Sequence, residues 1–222
     1  MNFGLSFSFV FKDKEWFKKL AIPALCSLIP VVGQFIVLGW GLQVTKNVID
    51  GKVEDALPNL DFGGDLVRGL LATVITFLYS LPIAIFSGLA GFLFSFGGES
   101  GDFLGTVLMI AGGCFGLVAF LFGILIAFMS AAGVANYIAK GKFGAAFQIK
   151  EVFGLVKKSF VSWLLVIIGQ IIALGIIAPL GVIVCVIGVL LTMTFGTAVY
   201  SHLLGQAYNK SATPAFEAVD VL

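Results

Sequence analysis

The sequence predicts an all-α membrane protein of three transmembrane helical hairpins, about six membrane segments in all, with amphipathic helices at the membrane interface. Three observations lead there. The chain of 222 residues is 59% hydrophobic and 11% charged, against roughly 25% charge in soluble domains, so its surface needs lipid as solvent. All thirteen Lys and Arg residues fall in four patches divided by long apolar stretches without a basic residue. These are Lys12, Lys14, Lys18 and Lys19, then Lys46, Lys52 and Arg68, then Lys140, Lys142, Lys150, Lys157 and Lys158, and last Lys210. Finally, a Pro- or Gly-containing break divides each apolar stretch. A stretch that enters the bilayer, turns at its break and returns leaves every basic patch on one side, and short basic loops stay in the cytoplasm. Both termini are then cytoplasmic, in the inner membrane of a cell.

The first stretch, 20–49, breaks at Pro30-Val31-Val32-Gly33. Its outward arm, 20–29, is shorter than the roughly 20 residues a crossing needs at 1.5 Å per residue. It crosses at a tilt if counted from Asp13, and is otherwise a re-entrant half-helix. The second stretch, 69–138, breaks at Phe96-Gly97-Gly98-Glu99-Ser100-Gly101-Asp102. Its inward arm, 103–138, is longer than a bilayer requires and should project or tilt. The third, 160–208, breaks at Pro179-Leu180-Gly181. The breaks hold no basic residue and the middle one holds Glu99 and Asp102, which suits tips on the far side. Residues 1–11 lack a basic residue, so no cleavable signal is expected.

Similar short segments introduce the hairpins: Trp16-Phe17-Lys18-Lys19, Leu66-Val67-Arg68 and Leu155-Val156-Lys157-Lys158. Asp13 and Asp61 suit N-caps. Val152, Leu155, Val156 and Phe160 share one helical face. Trp16 and Phe17 are therefore expected at headgroup depth or against the bundle, with Lys18, Lys19, Lys157 and Lys158 reaching water or phosphate. The hairpins also end alike, on Asn47-Val48-Ile49, Asn136-Tyr137-Ile138 and Asn209-Lys210. One membrane domain, 1–222, thus divides into a threefold repeat at about 7–52, 53–142 and 143–210.

The order and spacing of several motifs in roughly the first ninety residues resemble an uncharacterised prokaryotic membrane family, a domain of unknown function numbered 4013 in its series. The residues that carry the likeness are Asp13-Lys14-Glu15-Trp16-Phe17-Lys18-Lys19-Leu20, Ile29-Pro30-Val31-Val32-Gly33, Leu38-Gly39-Trp40, Lys46-Asn47-Val48-Ile49-Asp50-Gly51, Leu57-Pro58 and 61–70. The likeness fades in the glycine-rich second hairpin. It implies a polytopic bacterial or archaeal membrane protein and no activity.

Function is bounded mainly by what is missing. The twelve acids all fall in expected loops, caps or tails, which argues against a proton-driven pump with a carboxylate at depth. His202 reads as a neutral, hydrogen-bonded histidine rather than a proton relay. Gln34, Gln43, Gln170 and Gln206 are costly in a bilayer and should satisfy one another or nearby backbone, a substrate site being the lesser reading. No Cys/His spacing for a metal, no phosphate loop and no nucleophile–base set is present, so no enzyme and no cofactor is expected. Asp50, Glu54, Asp55, Asp61 and Asp65 read as caps and loop charges. Cys26, Cys114 and Cys185 lie in apolar stretches as small buried or lipid-facing groups. Gly112, Gly113, Gly116, Gly123, Ala127 and Ala131 recur at three- to four-residue intervals. Such spacing serves either helix packing within the monomer or assembly of protomers. The expectation is a non-enzymatic structural or accessory membrane component. Its partners are the lipid bilayer and either copies of itself or other membrane proteins, and not nucleic acid. The alternative is a passive channel or small-solute transporter.

Overall fold

The first hairpin is where sequence and structure part. Its arms are α2 (Trp16–Cys26, 11 residues) and α3 (Val32–Ile49, 18 residues), preceded by a short α1 (Leu5–Lys12). At 1.5 Å per residue α2 covers only about 16 Å. Gln34, Gln43, Lys46 and Asn47 make α3 too polar for a lipid-facing span, and more than half of its residues are buried. It is a core helix wrapped by protein. Pro30 and Val31 turn the chain between the arms. The Val32 N–H bonds to the Pro30 carbonyl at 2.7 Å, closing a three-residue turn that holds Val31 at φ +66°.

The computed structural model describes residues 1–100 and 102–212, without a strand among them. Four helical runs in it are long and apolar enough to cross a membrane: Phe62–Glu99, Phe103–Lys140, Phe160–Ile183 and Ile187–Ala212. The chain is thus an all-helical, multi-pass type with four candidate spans among the described residues rather than about six.

The second hairpin pairs α4 (Phe62–Ser100) with α5 (Phe103–Lys140). Asp61 caps α4, its Oδ1 accepting from the Gly64 N–H at 3.3 Å, while Asp65 Oδ2 accepts from the Asp61 N–H at 2.9 Å. Residues 62–68 are therefore the first turns of α4, not a separate interfacial segment. The expected tip at 96–102 is also shorter than its glycines suggest, because α4 stays helical through Gly97 and Gly98 to Ser100. Gly97 serves contact instead of a turn: a Cβ there would stand 2.8 Å from the Gly105 carbonyl oxygen of α5. Asp102 starts α5 by accepting from the Gly105 N–H at 2.8 Å. Gly101, the Ser100 and Cys185 side chains, Glu217 and Asp220 lie outside the described residues.

A 3-10 turn, Phe143–Phe147, leads into α6 (Ile149–Lys158). Then α7 (Phe160–Gln170) continues through a π-helical stretch, Ile171–Ile177, into α8 (Ala178–Leu180), and a 3-10 turn, Gly181–Val184, joins α9 (Cys185–Ala212). Pro179 stands in α8, directly after the π-helical stretch. The helix therefore runs past the expected break and reverses after it.

Close backbone contact holds the bundle centre. A Cβ on Gly39 would lie 1.8 Å from the Asp65 carbonyl oxygen, and one on Gly69 1.8 Å from that of Phe35, so α3 and α4 cross backbone to backbone. On its other side α3 meets α9, where a Cβ on Gly205 would stand 2.7 Å from Val48 Cβ. Trp40, Ile36 and Val44 of α3, Ile75 of α4, Trp163 of α7 and Leu203 of α9 are fully buried around these crossings.

Candidate functional site

The polar chemistry gathers in two places. One is the end of the bundle where α3, α5 and α9 finish and α4 and α7 begin. There Asn209 donates to the Val48 carbonyl at 2.9 Å, and the Tyr208 hydroxyl donates to Asn136 Oδ1 at 3.3 Å. Trp163 Nε1 donates to the Leu155 carbonyl at 3.0 Å and to Ser211 Oγ at 2.9 Å. Lys12 pairs with Glu54 at 2.9 Å, and Lys140 with Glu151 at 2.6 Å. Two of the closing asparagines act alike. Asn47 donates to the Ala56 carbonyl and Asn136 to that of Ala145, each nine residues on and each at 2.9 Å. The third unit's equivalent position lies outside the described residues.

At this end α1 is locked to α9. His202 Nε2 donates to the Val53 carbonyl at 2.7 Å, so its Nδ1 accepts from Ser6 Oγ and Gln206 Nε2, both at 2.9 Å. Gln206 Oε1 in turn accepts from the Asn2 N–H at 2.6 Å, and Phe9 stacks on the imidazole at 4.2 Å. Every nitrogen of the ring is used in holding the fold, in the neutral tautomer.

The segments singled out by their basic residues divide. Lys157 and Lys158 are exposed while Val152, Leu155 and Val156 of α6 are buried on the bundle. Trp16, Phe17 and Lys18 are exposed on α2. Lys19 instead turns inward. It pairs with Asp13 at 2.6 Å and donates to the Leu57 carbonyl at 3.1 Å, with 15% of its side chain exposed. Burial pushes the Asp13 carboxyl up. The bond from Lys19, the Glu15 N–H and the Lys19 charge outweigh this and hold it below the usual carboxylate value. Asp13 thus orders the turn before α2, whose N-cap position is Glu15.

Of the small residues on α5, Gly112 is buried against Ala90 and Phe94 of α4. Gly116, Gly123 and Ala127 line an apolar groove of about 730 Å³ between α4, α5 and α7. Cys26 is half-buried and Cys114 exposed, both as free thiols. Among the described residues no three His, Cys, Asp or Glu side chains gather as a metal-binding set.

The second polar place is a cleft of about 600 Å³ partway along the bundle. It is lined by Thr73, Thr76 and Ser80 of α4, Ser130 of α5, Gln170 of α7 and Tyr200 of α9. Ser130 and Gln170 each stand ten positions from the basic ends of their helices, Lys140 and Phe160, or about 15 Å at 1.5 Å per residue. Thr73, Thr76, Ser80 and Ser130 donate to carbonyls of their own helices at 2.9, 3.0, 2.7 and 3.3 Å. Their oxygen lone pairs are left for the cleft. The Gln170 amide and the Tyr200 hydroxyl make no hydrogen bond among the described residues. Gln206 and Gln43, by contrast, are bonded within the protein. The cleft meets the apolar groove at Ala127 and Ile167, which line both. Sequence reading singled out Gln170 but passed over the hydroxyls, although 73, 76 and 80 sit at i, i+3, i+7, the spacing of one helix face.

A family model described as a protein of unknown function (DUF4013) matches residues 22–193 and so carries the likeness through the second hairpin, where the motifs fade. No curated protein and no solved structure matches the chain.

Proposed function

The chain belongs to the DUF4013 family of proteins of unknown function, and from that premise we propose that it is a non-enzymatic structural or accessory component of the cytoplasmic membrane that assembles with copies of itself. The observation that carries this reading is the α4–α5 arm. At 39 and 38 residues its helices extend about 57 Å, nearly twice a bilayer's hydrocarbon core of roughly 30 Å. Lipid covers only part of such a length, and tilt or a neighbour must cover the rest. One face of α5 presents Ile110, Cys114, Leu117 and Leu121 to the outside at i, i+4, i+7, i+11. That is the stripe a second arm would cover. Among the described residues the charged groups within the four spans, Asp65, Arg68, Glu99, Lys140 and Lys210, stand within about two turns of the helix ends, and Asp65 and Arg68 are paired with each other, which supports a packing role over ion coupling.

In this reading the basic end and both termini face the cytoplasm, and α2 and α6 lie at the headgroup layer with Trp16, Phe17, Lys18, Lys157 and Lys158 toward lipid. The polar cleft favours a second reading, a passive path for an uncharged solute.

A bifunctional maleimide tests the first reading. In lipid nanodiscs, Cys114 of one protomer should crosslink to Cys114 of the next, and native mass spectrometry should give a closed oligomer. Gly123→Leu, which fills the groove and not the stripe, should leave that mass unchanged. A protein that stays monomeric at high nanodisc loading ends the proposal. In a variant lacking Cys26, Cys114 and Cys185, Glu99→Cys should react with an impermeant maleimide from outside the cell only. Reaction from the cytoplasmic side alone reverses the orientation.

A further inference from the structure

The cleft and the groove pose one chemical question together. The cleft offers acceptors on Thr73, Thr76, Ser80 and Ser130, and both donors and acceptors on Gln170 and Tyr200, neither of which is bonded among the described residues. A free amide there is costly unless something answers it. No residue lining the cleft is charged. An ion placed there would lose its hydration with no counter-charge, so the complementary group is uncharged and carries hydroxyls. The adjoining groove is of another kind. It runs between Ala90 and Phe94 of α4 and Gly116, Phe120 and Gly123 of α5, and continues into the cleft past Ala127 and Ile167. Its wall suits a hydrocarbon chain, and Gly91, Gly116 and Gly123 provide its width. Each space, at about 600 and 730 Å³, is in the range of ligand pockets, about 300–1,000 Å³.

We propose that cleft and groove together bind one uncharged single-chain amphiphile, a monoacyl- or monoalkylglycerol in chemical class. Its glycerol head bonds to Gln170, Tyr200 and the α4 hydroxyls, and its tail lies between α4 and α5. The site is separate from the outward stripe at Cys114, so it stands whether or not the protein assembles. It also differs from a solute path, because a polar solute gains nothing from the apolar groove.

The test uses the whole protein in phosphatidylcholine nanodiscs, with a monoacylglycerol carrying a photoreactive diazirine in its chain. Labelling should map to the groove residues of α4 and α5. Excess monoolein should abolish it, while oleate and added phosphatidylcholine should not. Gln170→Leu should lower labelling about tenfold, the loss expected of a hydrogen-bonded head. Gly91→Leu should lower it as much by filling the groove, since a Cβ there meets nothing within 4 Å and the polar cleft is untouched. A thermal melt matching wild type qualifies each variant, and either one alone decides. Labelling that a folded variant leaves unchanged, or that oleate competes as well as monoolein, identifies annular lipid and overturns the proposal. Displacement by free glycerol as effective as by monoolein also overturns it, in favour of a small-solute site.

Discussion

Leucine in place of Gly69 will force α3 and α4 apart and lower stability by more than about 3 kcal/mol, beyond the usual range for an overfilled core. The reason is the 1.8 Å that would separate even a Cβ at Gly69 from the Phe35 carbonyl oxygen. A carbonyl within α3 cannot retreat as a side-chain end can, so the whole crossing must open, and Gly39 beside it loses its contact with Asp65. Unfolding in mild detergent, followed by helical ellipticity, measures the loss. Gly88→Leu in the same helix is the matched control. A Cβ there meets nothing within 4 Å, and its midpoint should move by less than about 0.5 kcal/mol. Equal midpoints for the two variants would mean that the helices do not cross at Gly69.

Arg68→Met should destabilise by about 3–5 kcal/mol, the cost of leaving a buried charge without its partner. Asp65 is 1% exposed, is paired with Arg68 one helical turn away, and accepts the Asp61 N–H that opens α4. Arg68 also donates to the Gly39 carbonyl at 3.3 Å, next to the glycine crossing. The double variant Asp65→Asn with Arg68→Met keeps an acceptor for Asp61 and removes the stranded charge, so it should recover at least half of the loss. A double variant no more stable than the single would show that the pair does not act through charge.

The sequence made some of this legible and some not, for physical reasons. Asp61 was readable as a cap because a carboxylate before an apolar run has a defined task at a helix start. The long inward arm was readable from its length alone. The glycines were not. Gly97 and Gly98 carry the composition of a turn, yet in a membrane helix the same residues allow backbones to touch, and composition does not separate the two uses. The first hairpin kept the apolar run of a span, but Thr45 of α3 bonds to α9 and Asn47 to the loop carbonyl of Ala56, both later in the chain, and only the packed bundle shows α3 as a core element. Lys19 looked like its neighbour Lys18, and what set it apart was a carboxylate six residues back and a loop carbonyl 38 residues on. The cleft hydroxyls carried a readable period, but their meaning depends on Gln170 and Tyr200 arriving from other helices.

The pairing of α3 with α9 also sets a schedule for synthesis. Gly41, Thr45 and Val48 of α3 face Thr197, Ser201 and Gly205 of α9, and Thr45 donates to the Ser201 carbonyl at 2.9 Å. About 150 residues separate the two faces, and at roughly 5–20 residues per second the ribosome needs on the order of 10–30 s to supply the second. For that interval α1, α2 and α3 have left the ribosome while Ser6 lacks His202, Asn2 lacks Gln206 and Thr45 lacks its acceptor. The opening quarter of the polypeptide thus waits, half-wrapped by α4 and α5, until the last helix enters the membrane and closes the bundle over it.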